Sequence, residues 1–422
     1  MNIVVIGGGW AGCAAALAAK KQGAKVTLVE RTDMLLGTGL VGGIMRNNGR
    51  FTATEELIAM GGGDLFRLID THLLHRNIDF PGHRHASLYN VGTIEPAVRK
   101  FLLTQGVSLK LSSRITDVTM NKNRMQSVTG KTGKEAFELQ GDTFIDTTGT
   151  AGPPALCIKH GQGCAMCILR CHSFGGRVSV TQKAGITEMV GHKPGQIGAM
   201  SGSCKLHKAS LSTEIRDNLE KTGKAVIPIP ISLRTGNKLG MKACQQYAIK
   251  EFEENIILLD TGHAKLMSPF FPLDRLREIP GLENARYEDP YAGGIGNSVR
   301  FMAMSPRDNQ LKVEGVENLF CAGEKAGLLV GHTEAICTGT LAGFNAAQNG
   351  NLSLTLPDSL AIGDAIAHVR KQMMEHNRLD LKFTFSGSVL FSRMQEKGMY
   401  TTDIDVIKER VSNAGLTDVF LK

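Results

Sequence analysis

No stretch of 18 consecutive apolar residues occurs in this 422-residue chain. A membrane-spanning helix needs about 20 such residues, so none is expected. Asn2-Ile3-Val4-Val5-Ile6 reads as the first strand at once, so no leader is expected ahead of it. A secretory leader needs a basic start followed by an apolar run. The expected location is therefore the cytoplasm. Cysteine is missing between Cys13 and Cys157, although the chain holds nine. In a reducing compartment those nine are expected as thiols, metal ligands or redox groups rather than structural disulfides.

Acid is scarce in one region. Residues 151–240 hold twelve Lys and Arg against four Asp and Glu, an excess equal to the net charge of +8 of the whole chain. A basic middle segment suits an acidic counterpart, whether nucleic acid, anionic substrate or acidic protein. A solvated basic surface with a pI near 9.0 accounts for the same count. The rest of the composition, 42% apolar and 21% charged, is that of a globular protein of two or three domains.

What is present is concentrated at the start. The apolar, β-branched run 2–6 reads as a buried parallel strand leading into Gly7-Gly8-Gly9-Trp10-Ala11-Gly12. An Ala-rich helix follows, Gly23 ends it, and a second apolar strand at 25–29 finishes on Glu30. G-x-G-x-x-G between strand and helix, with an acid closing the next strand, is the pattern of a dinucleotide site. Gly7 permits the tight turn, Gly9 lets backbone approach a pyrophosphate, and Gly12 lets helix and strand pack closely. The helix N-terminus, with Trp10 and Ala11 in its first turn, presents N–H groups to the phosphates. Glu30, followed by Arg31, suits a ribose hydroxyl and disfavours a 2′-phosphate. The loop beyond carries Gly37-Thr38-Gly39 and Gly42-Gly43 among apolar leucines and Val41, as expected of backbone passing over a cofactor.

Further elements follow in order. Residues 55–76 read as helix interrupted by Gly61-Gly62-Gly63, with Asp64 as the N-cap of its second part. Residues 95–105 read as helix, 107–111 as strand, and 115–120 with 125–129 as a hairpin. The apolar strand 143–147 ends on Thr148-Gly149. Residues 178–180 and 225–227 read as short strands, 241–255 as helix, and 383–391 as a strand-like patch. Cys204, His207 and Lys208 are close in sequence and are candidates for substrate chemistry or plain surface residues.

The closing half of the cofactor domain lies far downstream. A short strand ends in Ala322-Gly323-Glu324, and the turn at Gly331 leads through His332 and Thr333 into an Ala-rich helix. That arrangement sets N–H donors and a positive dipole end beside an anion. Two nucleotide elements with inserted material between them argue for FAD over NAD alone.

Two resemblances rest on these residues. Residues 3–45 and 140–150 resemble the FAD-dependent oxidoreductases of the glutathione-reductase-like superfamily. Residues 313–366 are similar to the folate- and FAD-dependent tRNA uracil methyltransferases and the glucose-inhibited division protein A group. The shared pattern is Ala322-Gly323, Gly327, Gly331, Glu334-Ala335, Gly339, Leu341-Ala342-Gly343 and Asn345-Ala346-Ala347. The resemblance implies FAD, with Glu324 on the ribityl chain and the helix that starts near His332 at the pyrimidine end of the flavin. Those methyltransferases carry a cysteine nucleophile after Leu-Val, where this chain has Leu40-Val41-Gly42-Gly43. Uracil methylation is therefore not carried over.

One stretch stands outside the resemblance. Cys157, Cys164, Cys167 and Cys171 are spaced C-x6-C-x2-C-x3-C. Four thiolates with a local C-x2-C suit a [4Fe–4S] cluster. Cys164 and Cys167 alone suit a redox dithiol, its thiolates favoured by Lys159 and Arg170. Zinc with His160 or His172 is a third reading, and unrelated buried cysteines a fourth. Placement directly after the Thr148-Gly149 turn would set a redox group beside the flavin.

The expected fold is α/β: a FAD-binding Rossmann-type, glutathione-reductase-like domain with an inserted α+β substrate or cap domain and a mostly helical C-terminal appendage. The expected boundaries are 1–156, 157–300, 301–350 and 351–422. The expected function is a FAD-dependent oxidoreductase passing electrons or hydride between flavin and a cysteine-bound redox centre or an anionic substrate. His332 is a candidate donor to reduced flavin or, equally, a helix cap. The alternatives are a flavin-dependent RNA-modifying enzyme and an electron-carrying subunit. RNA, an electron-transfer partner and a second copy of the chain are the candidate partners.

Overall fold

The computed structural model describes residues 1–150, 171–191, 199–200, 204–234, 249–267, 271–288, 299–300, 302–348 and 353–421. Its centre is a five-stranded parallel sheet. The strands are β1 (Asn2–Ile6), β2 (Lys25–Val29), β3 (Ser108–Lys110), β4 (Thr143–Asp146) and β5 (Leu319–Cys321). Their spatial order is β5-β4-β1-β2-β3, with Ile3 beside Val26 on one side and Thr143 on the other. Strands covered on both faces read as continuous apolar runs, and Ile3, Val4, Val5 and Ile6 are all buried.

Helix α1 (Trp10–Lys21) follows β1 and is buried along nearly its whole length. Helix α2 (Gly49–Ala59) packs nearby, and α3 (His332–Ala347) leaves the turn after β5. Small residues bring α3 onto α1 at backbone contact. A Cβ on Gly339 would lie 2.2 Å from the Ala11 carbonyl oxygen, and one on Gly343 would lie 2.1 Å from that of Ala15. The Ala-rich composition of both helices, unremarkable as helix propensity, is what this approach requires.

The inserted chain forms its own antiparallel sheet in the order Cys204–Leu206, Ala264–Leu266, Asn255–Asp260, Lys224–Pro228. Helix Thr213–Thr222 covers it, capped by the Ser212 hydroxyl and closed by Gly223 at φ +77°. Leu206, Leu219, Ile256, Leu258, Leu266 and Leu276 form the core between them. Ile257 and Leu259, on the other face, pack with Ile44 and Leu88 of a three-stranded sheet that includes His83–Tyr89. A meander, Ser113–Asn121, Arg124–Thr132 and Glu135–Gln140, precedes β4.

Three local readings need correction. The helical reading of 55–76 stops at Asp70, because Leu73–Phe80 is a strand paired with His83–Tyr89; Gly63, not Asp64, is the N-cap. Residues 178–180 form no strand. Ser179 instead caps the helical turn Val180–Lys183, accepting from the Gln182 N–H, so the Val-Ser-Val alternation marks a cap. In 383–391, pairing is limited to isolated bridges, and Ser388–Glu396 is a helix. Residues 241–248 of the expected 241–255 helix lie outside the described residues; Lys250–Glu254 is helical. Among the described residues no helix is long and apolar enough to cross a membrane.

The C-terminal helices α4 (Ala361–Met374) and α5 (Ile404–Asn413) dock on α2 through one carboxylate. Glu56 accepts from the Ala361 N–H at 2.9 Å and the Ile362 N–H at 3.1 Å, with Arg410 Nη1 at 3.6 Å. Burial pushes its carboxyl up to about 7, outweighing the two amides and Arg410. Between the unfolded value near 4.5 and about 7 the folded protein binds the extra proton, so this site's stability contribution falls as pH rises through that window. We expect urea unfolding of the wild type to lose roughly 1–3 kcal/mol more than Glu56→Gln between pH 5 and 8. Parallel profiles would contradict this.

Candidate cofactor site

A cleft opens at the C-terminal ends of β1, β2 and β4, where parallel sheets bind ligands. It encloses about 850 Å³, open mouth included, and is lined by Gly7, Gly9, Glu30, Arg31, Gly37, Thr38, Thr148, Gly149 and Glu324. The meander adds Ser113, Arg114 and Ile115, and Arg177 with Val178 closes another side. Residues from seven separate stretches thus meet in one place.

The three motif glycines meet different constraints. Gly7 sits at φ +104°, and a Cβ there would lie 2.4 Å from the Thr147 carbonyl oxygen. A Cβ on Gly12 would lie 1.8 Å from the Gly7 carbonyl oxygen. Gly9 has nothing within 4 Å of its Cβ position. Gly7 and Gly12 are therefore needed by the protein, whereas Gly9 leaves room for something else. Gly9 is also the N-cap of α1 and brings no side chain to its free N–H groups. An anion suits that end.

Glu30 is held in place. Its Oε2 accepts from the Gly8 N–H at 2.7 Å, and its Oε1 from the Thr32 N–H at 2.8 Å and hydroxyl at 3.1 Å. A carboxylate accepts about four hydrogen bonds, which leaves capacity toward the cleft. Glu324 accepts from the Thr150 hydroxyl at 2.7 Å. Arg31 donates to the Gly175 carbonyl and Arg114 Nε to that of Gly176 at 2.9 Å. Two cleft arginines thus grip the segment that leads to Arg177.

Under the cleft lies a buried charge cluster. Asp146, at the end of β4, accepts from the Thr181 N–H (2.9 Å) and hydroxyl (2.8 Å) and from the Thr148 hydroxyl (2.7 Å). Burial pushes the Asp146 carboxyl up, but Lys325 and these donors outweigh it and hold it below the usual carboxylate range. Lys325 pairs with Glu188 and donates to the Ser179 hydroxyl at 2.8 Å. Desolvation brings its ammonium down to about 7.

The turn into α3 is equally fixed. His332 is its first residue and Gly331 its N-cap, so the histidine side chain is not the cap. His332 Nδ1 lies 3.3 Å from the Tyr89 hydroxyl, and Trp10 stands edge-on to Tyr89 at 6.3 Å. Burial pushes the Tyr89 phenol up to about 12, which keeps it a neutral hydroxyl. A Cβ on Gly42 would sit 1.6 Å from His332 Cε1, so the end of the 37–43 loop lies directly on the imidazole. Behind it Glu334 pairs with Arg50 at 3.2 Å and accepts from the Phe385 N–H and the Thr384 hydroxyl.

The remaining sequence candidates fall into three groups. Trp10, Ala11 and Gly12 form the first turn of α1, with Ala11 under Gly323 and Gly339. Thr333 turns its hydroxyl toward Met45, and Gly39 packs against the Trp10 indole. Cys157, Cys164 and Cys167 lie outside the described residues; Cys171 opens the short helix Cys171–Phe174. Among the described residues no group of His, Cys, Asp or Glu is arranged to hold a metal ion. Cys13, Cys321 and Cys337 are buried free thiols, held protonated by burial. Sequence reasoning missed Arg114, Arg177 and Tyr89. A meander arginine and a hairpin tyrosine carry no local signal, and only the Gly175-Gly176 pair marks Arg177.

Comparison with known proteins agrees with this geometry. Residues 2–154 match the family model FAD dependent oxidoreductase, and residues 260–352 match Glucose inhibited division protein A. The structure of Aquifex aeolicus GidA in its form II crystal is 18% identical, with TM-score 0.69 over 98% of this chain and 73% of that one. Its form I crystal gives 16% identity and TM-score 0.64 over 100% and 77%. The chain is thus a FAD-dependent oxidoreductase by its first domain, with a division-protein-A-like closing part, and FAD is its cofactor. The open space at Gly9 and the uncapped start of α1 fit that cofactor.

The contrast between the glycines is testable. Gly9→Ala should keep unfolding stability within about 0.5 kcal/mol of wild type, yet weaken FAD binding at least about tenfold. Gly12→Ala should cost about 3 kcal/mol or prevent soluble accumulation. Equal effects of the two on stability, measured by urea unfolding of the apoprotein, would contradict the assignment.

Proposed function

We propose that the protein is a flavoenzyme passing electrons or hydride between FAD and a second group set against the same cleft. That group is the redox centre of Cys157, Cys164, Cys167 and Cys171, with Cys164 and Cys167 at its heart, or an anionic substrate. One observation carries the reading. The chain leaves the cleft at Thr150, bonded to Glu324, and returns to it at Gly175 and Gly176, held by Arg31 and Arg114. The four-cysteine run lies between those two anchors in sequence.

FAD supplies two-electron hydride transfer as well as single-electron steps, so it serves either acceptor. The protein's residues bind and orient it. Gly7, Gly9 and the first turn of α1 take the pyrophosphate, Glu30 the adenosine ribose and Glu324 the ribityl chain. Gly37, Thr38, Thr148 and Gly149 wall the cleft. The Tyr89 hydroxyl, 3.3 Å from His332 Nδ1, orients the imidazole, which would be the donor to reduced flavin. Gly331, Thr333 and Gly323 shape the backbone of that turn.

A second reading, a flavin-dependent RNA-modifying enzyme, is favoured by the Glucose inhibited division protein A match over 260–352 and by the basic segment 151–240. Binding of RNA that weakens steeply with salt would support it.

The first test is anaerobic purification with a visible spectrum and iron and sulfide analysis. We expect flavin bands near about 375 and 450 nm, and about four irons per chain if the cysteines hold a cluster. Flavin without iron would move the second group to a dithiol or the anionic substrate. A chain that takes up no flavin would overturn the proposal.

A further inference from the structure

From residue 175 to residue 181 the chain runs from one end of the cleft to the other. The sheet order sets those ends. Arg31 follows β2 and Arg114 follows β3, whereas Thr148 follows β4 and Glu324 follows β5 on the opposite side. At the first end, Arg31 donates to the Gly175 carbonyl and Arg114 Nε to that of Gly176 at 2.9 Å. At the second, Asp146 accepts from the Thr181 N–H at 2.9 Å and hydroxyl at 2.8 Å. Arg177 and Val178, between these anchors, line the cleft itself. The segment is a strap fixed at both ends.

The two fixings differ in kind. The Thr181 end is locked in the interior. Lys325, its side chain fully buried, pairs with Glu188 and donates to the Ser179 hydroxyl at 2.8 Å, and Ser179 in turn bonds Glu188. Parting those charges would strand each without water or partner. The Gly175 end is held by arginine side chains on main-chain carbonyls, in partly buried bonds that water can replace. Gly175 itself sits at φ +76°, and a Cβ there would lie 3.1 Å from Arg114 Nε. A glycine lets the strap lie flat on that guanidinium in a backbone conformation other residues rarely adopt. The strap thus has a buried hinge at one end and a releasable catch at the other.

We infer that residues 175–178 form a latched strap that gates the entry and exit of FAD, with Arg114 and Gly175 as positioning residues that act through it. This rests on the reading that sets the adenosine ribose at Glu30, and adds how that end is retained. Glu30 directly precedes Arg31, so the catch stands at the adenosine end. Release of the two carbonyls lets the strap swing about its buried end. Entry and exit share one gate, and the opening of the catch limits both.

The test follows FAD exchange rather than turnover. Dissociation is read by chasing labelled FAD from the loaded chain with unlabelled FAD, and association by mixing apoprotein with FAD. Arg114→Ala should raise both rates at least about tenfold, with their ratio changing less than either. Arg114→Lys, which keeps a cationic donor near the Gly176 carbonyl, should restore part of the slow exchange. Gly175→Ala replaces no side chain of the cleft and should act in the same direction as Arg114→Ala. It decides the matter if Arg114→Ala does not fold. Faster dissociation with unchanged association would make Arg114 a direct cofactor contact and overturn the gate. Wild-type rates in a flavin-loaded variant would overturn it equally, leaving the flavoenzyme reading intact. A chain that takes up no flavin would overturn both.

Discussion

The structure depends on two helices being able to touch backbone to backbone. Gly339 and Gly343 of α3 lie against the Ala11 and Ala15 carbonyls of α1, and Gly12 of α1 lies against the Gly7 carbonyl. Any side chain at these positions would push apart the glycine loop, the first helix and the closing helix. Nucleotide elements from opposite ends of the chain are brought into one site by that contact. The cleft follows from it, because β4, β5 and the turns behind them are ordered on the same frame.

Charges buried around this frame keep its two turns in register. Arg50 and Glu334 fasten α2 to the start of α3, and Thr384 and the Phe385 N–H complete the carboxylate's partners. Lys325 with Glu188 and Asp146 fastens the turn after β5 to the segment at 177–188. Buried ion pairs add little net stability, because desolvation offsets their attraction, but losing one partner strands a charge at about 3–5 kcal/mol. Their effect here is to fix geometry. Each holds a turn that carries a candidate cofactor residue, Glu324 in one case and His332 in the other.

Much of this was legible in the sequence. The Gly7–Glu30 stretch specifies strand, turn, helix, strand and acid within thirty residues, so local pattern was enough. The second element at 322–347 was readable for the same reason, and the family models cover both. What escaped were residues placed by tertiary contact. Arg114 reaches the cleft because a meander folds over β2, and Tyr89 meets His332 because a hairpin packs beside α3. The strand reading at 178–180 failed because a Val-Ser-Val alternation also suits a turn capped by Ser179, with Val180 buried and Val178 at the cleft.

The central claim is that one dinucleotide cleft, begun at Gly7 and closed at Glu324, takes FAD. The chain holds a single tryptophan, Trp10, buried in the first turn of α1 beside Gly9. Titrating the apoprotein with FAD while following that fluorescence tests the claim directly. The account predicts strong quenching that saturates at one FAD per chain and is not reproduced by NAD at the same concentration. Tryptophan emission that FAD leaves unchanged, or that NAD quenches equally well, would contradict it.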